Sequence, residues 1–224
     1  SYGFSQSDYQ IKYDNLQYNM KNALILNGGD NTTNRDQIEK FDYIVAVDSG
    51  AEHAYKLFLK PDLIIGDLDS ISTKTYDRVN KDRIEILEYK KNKDYTDFEI
   101  ALSHIIDLKI KDVTVIGGEY GDIDHLFGSL FAIAKLHTDQ NILWLHGEQE
   151  ILFPKSESIK IGINNKFSVL PFSDLINLNI TGAEWNLENE NIEFGQSKTL
   201  RNIARNEKIN ISVSDGKFCL IIYS

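Results

Sequence analysis

Four apolar runs in the N-terminal part of the chain each stop in a cluster of glycine, aspartate or both. Ala23 to Leu26 runs into Asn27-Gly28-Gly29-Asp30, and Tyr43 to Val47 into Asp48-Ser49-Gly50. Leu63 to Ile65 runs into Gly66-Asp67-Leu68-Asp69-Ser70, and Val113 to Ile116 into Gly117-Gly118. Runs this short between turn residues suit buried strands. Helical stretches separate them. One covers about Ala51 to Leu59 and is stopped by Pro61. Another follows the capping-box pair Thr96 and Glu99 and carries Phe98, Ala101, Leu102, Ile105 and Ile106 at helical spacing to about Leu108. A third covers about Asp124 to Leu136, while Ile84 to Leu87 and Ile142 to Leu145 add strands. Strand alternating with helix predicts an α/β fold with a mostly parallel sheet and helices on both faces. Ligands bind beyond the carboxyl ends of such strands, which is where the glycines and aspartates collect.

The pattern changes after about Gly147. Short β-rich runs follow: Ile159 to Ile163, Lys166 to Leu170, Leu175 to Ile180, Glu184 to Leu187, Ile192 to Phe194, Lys208 to Val213 and Phe218 to Ile222. Asn164-Asn165, Asn189-Glu190-Asn191 and Ser214-Asp215-Gly216 read as the turns between them. These runs predict a smaller C-terminal all-β sandwich domain. The expected division is an accessory segment over 1–19, an α/β domain over 20–147 and the β-sandwich over 148–224. The first segment is polar and Tyr-rich. Met20, the single methionine, stands directly before the first strand, so 1–19 is either an addition or a native arm.

With 224 residues the chain has room for an ample core. A net charge of −10 and no Lys/Arg block argue against nucleic acid as a partner. An acidic protein that handles phosphate esters needs cations. Cys219 is the single cysteine, so no internal disulfide can form, which suits a reducing compartment. No apolar run is long enough to cross a bilayer, and the start lacks signal-peptide features. The cytoplasm is the expected location, with no membrane partner.

Asp67 and Asp69 are two apart, so in extended chain both carboxylates leave one face. Mg²⁺ suits such a pair, being held by one or two carboxylates plus substrate phosphates. An Asx-turn in a polar loop is the plainer alternative. A second cluster, Lys93-Asp94-Tyr95-Thr96-Asp97, adds two more carboxylates. Asp97 in the first helical turn suits the helix dipole, but that leaves Asp94 unexplained. A cation shared among Asp67, Asp69 and one of Asp94 or Asp97 would relieve their repulsion. A third cluster runs Gly117-Gly118-Glu119-Tyr120-Gly121-Asp122-Ile123-Asp124-His125. There Asp124 can cap the helix, and His125 is either a nucleotide contact or a structural residue.

The order Gly-Asp-x-Asp-Ser, Lys-Asp-x-Thr-Asp, Gly-Gly-x-x-Gly-x-x-Asp-His resembles thiamine pyrophosphokinases. The second half is similar too, in Phe167-Ser168-Val169-Leu170-Pro171, in Thr181-Gly182-Ala183-Glu184-Trp185-Asn186-Leu187, and in Phe194-Gly195 followed by Ser197 and Asn202. The resemblance covers nearly all of Lys21 to Ser224. It implies an N-terminal α/β domain for ATP and Mg²⁺, and a C-terminal β-sandwich that completes a thiamine site across a homodimer. Metal and phosphate aspartates would fall on Asp67, Asp69, Asp94 and Asp97. Nucleotide-side positions would fall on Asp48, Gly50, Ser70, Thr96, Asp124 and His125. Thiamine-side residues would be Ser168, Trp185, Ser197 and Asn202, with the Trp185 indole either a platform for the cationic ring or part of the sandwich core. Three departures stand out: Asp122 where the family usually has Arg, Ser129 where Asn is common, and Arg201 where Ser usually precedes Asn202.

The implied reaction transfers the pyrophosphoryl group of ATP to the hydroxyethyl oxygen of thiamine, giving AMP. Asp97 or Asp69 would take the hydroxyl proton, and the sequence does not choose between them. Two alternatives stay open: a pyrophosphokinase for another heterocyclic alcohol such as a pterin, and a binding protein that no longer turns over.

Overall fold

The structure, a computed structural model, describes residues 20–88, 95–136, 139–154 and 157–223. The expected accessory segment 1–19 and Asp94 lie outside the described residues. The chain divides into two compact units after Gln140.

In the first unit, β1 (Asn22–Leu26), β2 (Tyr43–Val47), β3 (Leu63–Ile65), β4 (Glu85–Leu87) and β5 (Asp112–Ile116) lie in the order β5-β1-β2-β3-β4. Every adjacent pair among these five is parallel. Parallel strands covered on both faces need unbroken apolar sequence. Leu24, Ile25 and Leu26 of β1 and Leu63, Ile64 and Ile65 of β3 are accordingly all buried. The helices are α1 (Gly50–Lys56), α2 (Thr73–Asp82), α3 (Asp97–Asp107) and α4 (Ile123–Leu136). α3 packs on β1, β2 and β3 and against α4, and α1 packs on β1 and β2. The close approach of α1 depends on Gly50, where an added Cβ would lie 1.9 Å from the Leu26 carbonyl oxygen. α2 has no counterpart in the sequence reading. It buries only Thr75 and Val79, so its apolar stripe is too thin to stand out.

The second unit holds two antiparallel sheets. One has the order β12-β9-β14-β7-β6, built from β6 (Asn141–His146), β7 (Gln149–Leu152), β9 (Lys166–Pro171), β12 (Asn202–Ile203) and β14 (Phe218–Tyr223). The other has the order β11-β10-β13-β8, built from β8 (Glu157–Lys160), β10 (Leu175–Thr181), β11 (Leu187–Ile192) and β13 (Lys208–Ser212). β13 alternates exposed and buried residues, with Ile209 and Ile211 inward. These join Phe167, Val169 and Leu220 from the other sheet in one core cluster, the arrangement of a sandwich.

The β-rich half differs from expectation around β11. The strands predicted at Glu184 to Leu187 and Ile192 to Phe194 are one strand, β11, lying between them. Asn189-Glu190-Asn191 is not a turn but the middle of that strand. Asn189 has φ +50°, and the β10–β11 register shifts around Leu178–Glu190, so a bulge absorbs the left-handed residue.

Candidate active site

The carboxyl ends of β2 and β3 carry three residues at positive φ: Asp48 (48°), Gly66 (136°) and Leu68 (58°). The Asp48 N–H donates to Ile65 O at 3.0 Å. Its carboxylate lies over Gly66, where an added Cβ would come 1.9 Å from Asp48 Oδ1. Left-handed backbone costs a residue with a side chain about 1–2 kcal/mol. Leu68 offsets that by turning inward, where only 8% of it is exposed. The inward turn leaves Asp67 and Asp69 exposed on either side, and the Asp69 N–H donates to Asp67 Oδ1 at 3.2 Å. Two exposed carboxylates, offering oxygen donors alone, fit a hard cation such as Mg²⁺. Ser70 is exposed beside them.

The far end of this loop is fixed by Glu52 of α1. Glu52 Oε1 accepts from the Ser72 N–H at 2.6 Å, and Oε2 accepts from Thr75 Oγ1 at 2.8 Å. Desolvation of the Glu52 carboxylate is outweighed by these hydrogen bonds, which leave its pKa below the ordinary value. The β2–α1 segment therefore braces the aspartate loop at both ends, through Asp48 and through Glu52. Sequence reading missed Glu52 because its partners lie about twenty residues on.

α3 begins as expected. Thr96 Oγ1 accepts from the Glu99 N–H at 3.1 Å, and Glu99 Oε2 accepts from the Thr96 N–H at 2.9 Å. This capping box places half-buried Asp97 in the first helical turn. At α4 the structure corrects the cap. Helix α4 starts at Ile123, so Asp122 rather than Asp124 precedes the first helical residue, and its carbonyl accepts from His125 N at 3.0 Å. Asp124 Oδ1 instead accepts from the His125 N–H at 3.0 Å. Asp122, Asp124 and His125 are exposed, with ligand atoms within 4.8 Å of one another. Among the described residues this is the trio at that spacing. Asp67, Asp69 and Asp97 are not drawn together to it.

The loops after β1 and β5 are locked together by a residue the sequence reading passed over. Glu119 is fully buried. Its carboxylate accepts from Thr32 Oγ1 at 2.5 Å and from the Thr32 N–H at 3.1 and 3.2 Å. The backbones of Asp30 and Glu119 exchange hydrogen bonds of 3.1 and 3.0 Å. His53 Nε2 meets the Gly29 carbonyl at 2.6 Å, so that nitrogen carries the proton. Burial holds the His53 pKa below 6.5.

In the second unit the four expected residues separate into two kinds. Trp185 is 55% exposed, and Ser197 is exposed. Ser168 and Asn202 are buried and bonded internally. Ser168 Oγ accepts from the Arg201 N–H at 2.9 Å. Asn202 Oδ1 accepts from the Trp185 N–H at 3.2 Å, and Nδ2 donates to Trp185 O at 2.7 Å. Asn202 thus fixes the backbone that presents the indole. Arg201, at φ +62°, lays its guanidinium over the Tyr223 ring at 4.5 Å.

Comparison with known proteins bears on both units. Residues 35–145 match the family profile described as "Thiamin pyrophosphokinase, catalytic domain", and residues 148–218 match "Thiamin pyrophosphokinase, vitamin B1 binding domain". Thiamine pyrophosphokinase of Bacillus subtilis is 26% identical over 182 residues, covering 79% of this chain and 85% of that protein. The solved thiamin pyrophosphokinase of Geobacillus thermodenitrificans shares the fold with a TM-score of 0.79 at 22% identity, over 91% of this chain and 97% of that one. The Candida albicans enzyme gives 0.74 at 18% identity, over 93% and 91%. Two profiles of one family, matched in order along the chain, put it in the thiamin pyrophosphokinase family.

Proposed function

We propose that the protein transfers the terminal pyrophosphoryl group of ATP to thiamine, giving thiamine diphosphate and AMP. The observation that carries this reading is the pairing of a catalytic-domain match with a vitamin B1-binding match on one chain. The second match speaks against a pterin as acceptor. Residues 20–147 would hold ATP, and 148–224 the thiamine ring, stacked on the exposed Trp185 indole.

The hydroxyethyl oxygen of thiamine attacks the β-phosphorus. The bond from that phosphorus to the α-side bridging oxygen breaks, AMP leaves, and the hydroxyl proton passes to a carboxylate, Asp97 or Asp69. Asp67 and Asp69, with Asp94 and Asp97, would hold Mg²⁺, which offsets charge on the polyphosphate. Glu52 and Asp48 keep the Asp67–Asp69 loop in one shape, so the carboxylates are set before substrate arrives. Thr96 fixes the start of α3, and a helix N-terminus suits a phosphate. The protein works as a homodimer, the commonest symmetric assembly, in the cytoplasm. Among the described residues no helix is long and apolar enough to cross a membrane.

The test is to supply ATP, Mg²⁺ and thiamine and to assay thiamine diphosphate in the wild type and in Asp67→Asn. The wild type should form product, and the folded variant should lose nearly all of it. Wild-type turnover by Asp67→Asn at limiting Mg²⁺ would remove the metal assignment. ATP and thiamine binding without any product would instead favour a binding protein, with Asp122 standing where an Arg would face the phosphates.

A further inference from the structure

Helix α4 buries Leu130 and Ile133 on one side. On its other side Ile123, Phe127 and Phe131 are 69%, 45% and 50% exposed, and the two phenyl rings stack with centroids 6.1 Å apart. A contiguous exposed apolar face of this kind marks an interaction surface. Beside the rings, in the helix interior, stands Gly128. Glycine there costs helix stability relative to alanine. The packing of the chain does not require it: beyond its own helical turn, an added Cβ would meet no atom of the described residues within 4 Å. A glycine that its own chain does not need leaves a notch open to another molecule.

We infer that this face pairs with the same face of a second copy, the two α4 helices running antiparallel about a twofold axis. The inference rests on the homodimer reading given above and gives that dimer a surface. The spacing along the face is self-complementary. Asp124, Gly128, Phe131 and Lys135 follow one another at intervals of four, three and four residues, the spacing of a helix-to-helix seam. In an antiparallel pair centred between 129 and 130, position 128 of one chain faces 131 of the other, and 124 faces 135. Phe131 of the partner subunit then enters the Gly128 notch. The partner's Lys135 meets the acidic end of α4, where the carboxylates of Asp122 and Asp124 lie within 4.8 Å of each other. One patch therefore serves both subunits, as a twofold interface requires. The exposed parts of Ile123, Phe127 and Phe131 come to roughly 300 Å² per chain and roughly 600 Å² for the pair. An interface at the lower end of the stable class has an apolar share of about 700 Å², so the stripe supplies most of one. A lipid surface fits worse, because a net charge of −10 and carboxylates at one end of the stripe repel anionic headgroups.

Light scattering on the full chain over a dilution series tests this, using Gly128→Leu and Phe131→Glu. No atom of the described residues occupies the space at 128, so Gly128→Leu fills the notch and leaves the fold intact, which circular dichroism checks. Each change enters a twofold interface twice, so the dimer dissociation constant should rise at least about a hundredfold. A short bismaleimide applied to Asp124→Cys/Lys135→Cys reads the register. Native Cys219 is fully buried and does not compete for the reagent. Within one chain the helix holds 124 and 135 about 16 Å apart, so the linker joins them only between chains. The double variant should run as a covalent dimer, and either single variant as a monomer. Folded Gly128→Leu and Phe131→Glu that dimerise as the wild type does overturn the inference, while the homodimer reading stands. Linking by a single variant overturns the antiparallel register and the inference with it. A wild type that stays monomeric throughout the series overturns both readings and leaves the stripe to the chain's own residues 1–19 or to another protein.

Discussion

Gly50→Ala separates packing from ligand contact at one position. The resemblance places Gly50 on the nucleotide side, and the structure shows a packing role for it. An alanine Cβ there would sit 1.9 Å from the Leu26 carbonyl oxygen and 2.8 Å from its carbonyl carbon. Carbon-to-oxygen contacts normally settle near 3.3 Å, so α1 and β1 must part by about 1.4 Å. Both atoms met are backbone in a fully buried strand, so no side chain can swing aside. Overpacking of this kind costs about 3 kcal/mol or somewhat more. In a chain of this size that corresponds to a fall in Tm of about 6–12 °C. Thermal unfolding followed by circular dichroism reads it, with ATP affinity measured in parallel below the transition. An unchanged Tm would refute the close approach of α1 to β1. Lost ATP binding at full stability would make Gly50 a ligand contact after all.

Two further predictions concern charge and the indole. Burial depresses the pKa of His104, whose Nε2 meets Tyr43 Oη at 3.0 Å, and of His53, both from 6.5. Unfolding therefore takes up protons below pH 6.5, and stability falls as pH drops from there towards the folded pKa values. The slope is at most about 1.4 kcal/mol per pH unit for each histidine, so urea titrations of His104→Gln should show a shallower acid loss than the wild type. An identical slope would contradict the buried neutral imidazole. Trp185→Ala should weaken thiamine about tenfold, the scale of a desolvated cation–π contact, and ATP hardly at all. Thiamine should also quench the exposed Trp185 but not the fully buried Trp144, and equal thiamine affinity in the variant would make Trp185 a bystander.

Much of the first unit was legible because its strands are buried on both faces and read as unbroken apolar runs. Tyr43–Val47 and Leu63–Ile65 have the expected limits. The Thr96 cap was legible because its partner, Glu99, lies three residues on. What escaped depends on contacts distant in sequence or on polar surface. Glu119 meets Thr32 across 87 positions, and nothing near either residue signals it. Helix α2 is polar on all but a narrow face. Asn189 looks like a turn residue because asparagine tolerates left-handed backbone, and here that tolerance serves a bulge within a strand. Asp67 and Asp69 were visible as a pair, but the inward turn of Leu68 and the bracing by Asp48 and Glu52 required the fold. Ser168 and Asn202 were visible as polar residues of the second unit, whereas their burial and backbone partners were not.

The nucleotide left after one turnover tests the central claim most directly. With ATP labelled at the γ-phosphate, Mg²⁺ and thiamine, the account predicts unlabelled AMP in equal amount to labelled thiamine diphosphate. ADP with labelled thiamine monophosphate would contradict it, because attack would then have fallen on the γ-phosphorus.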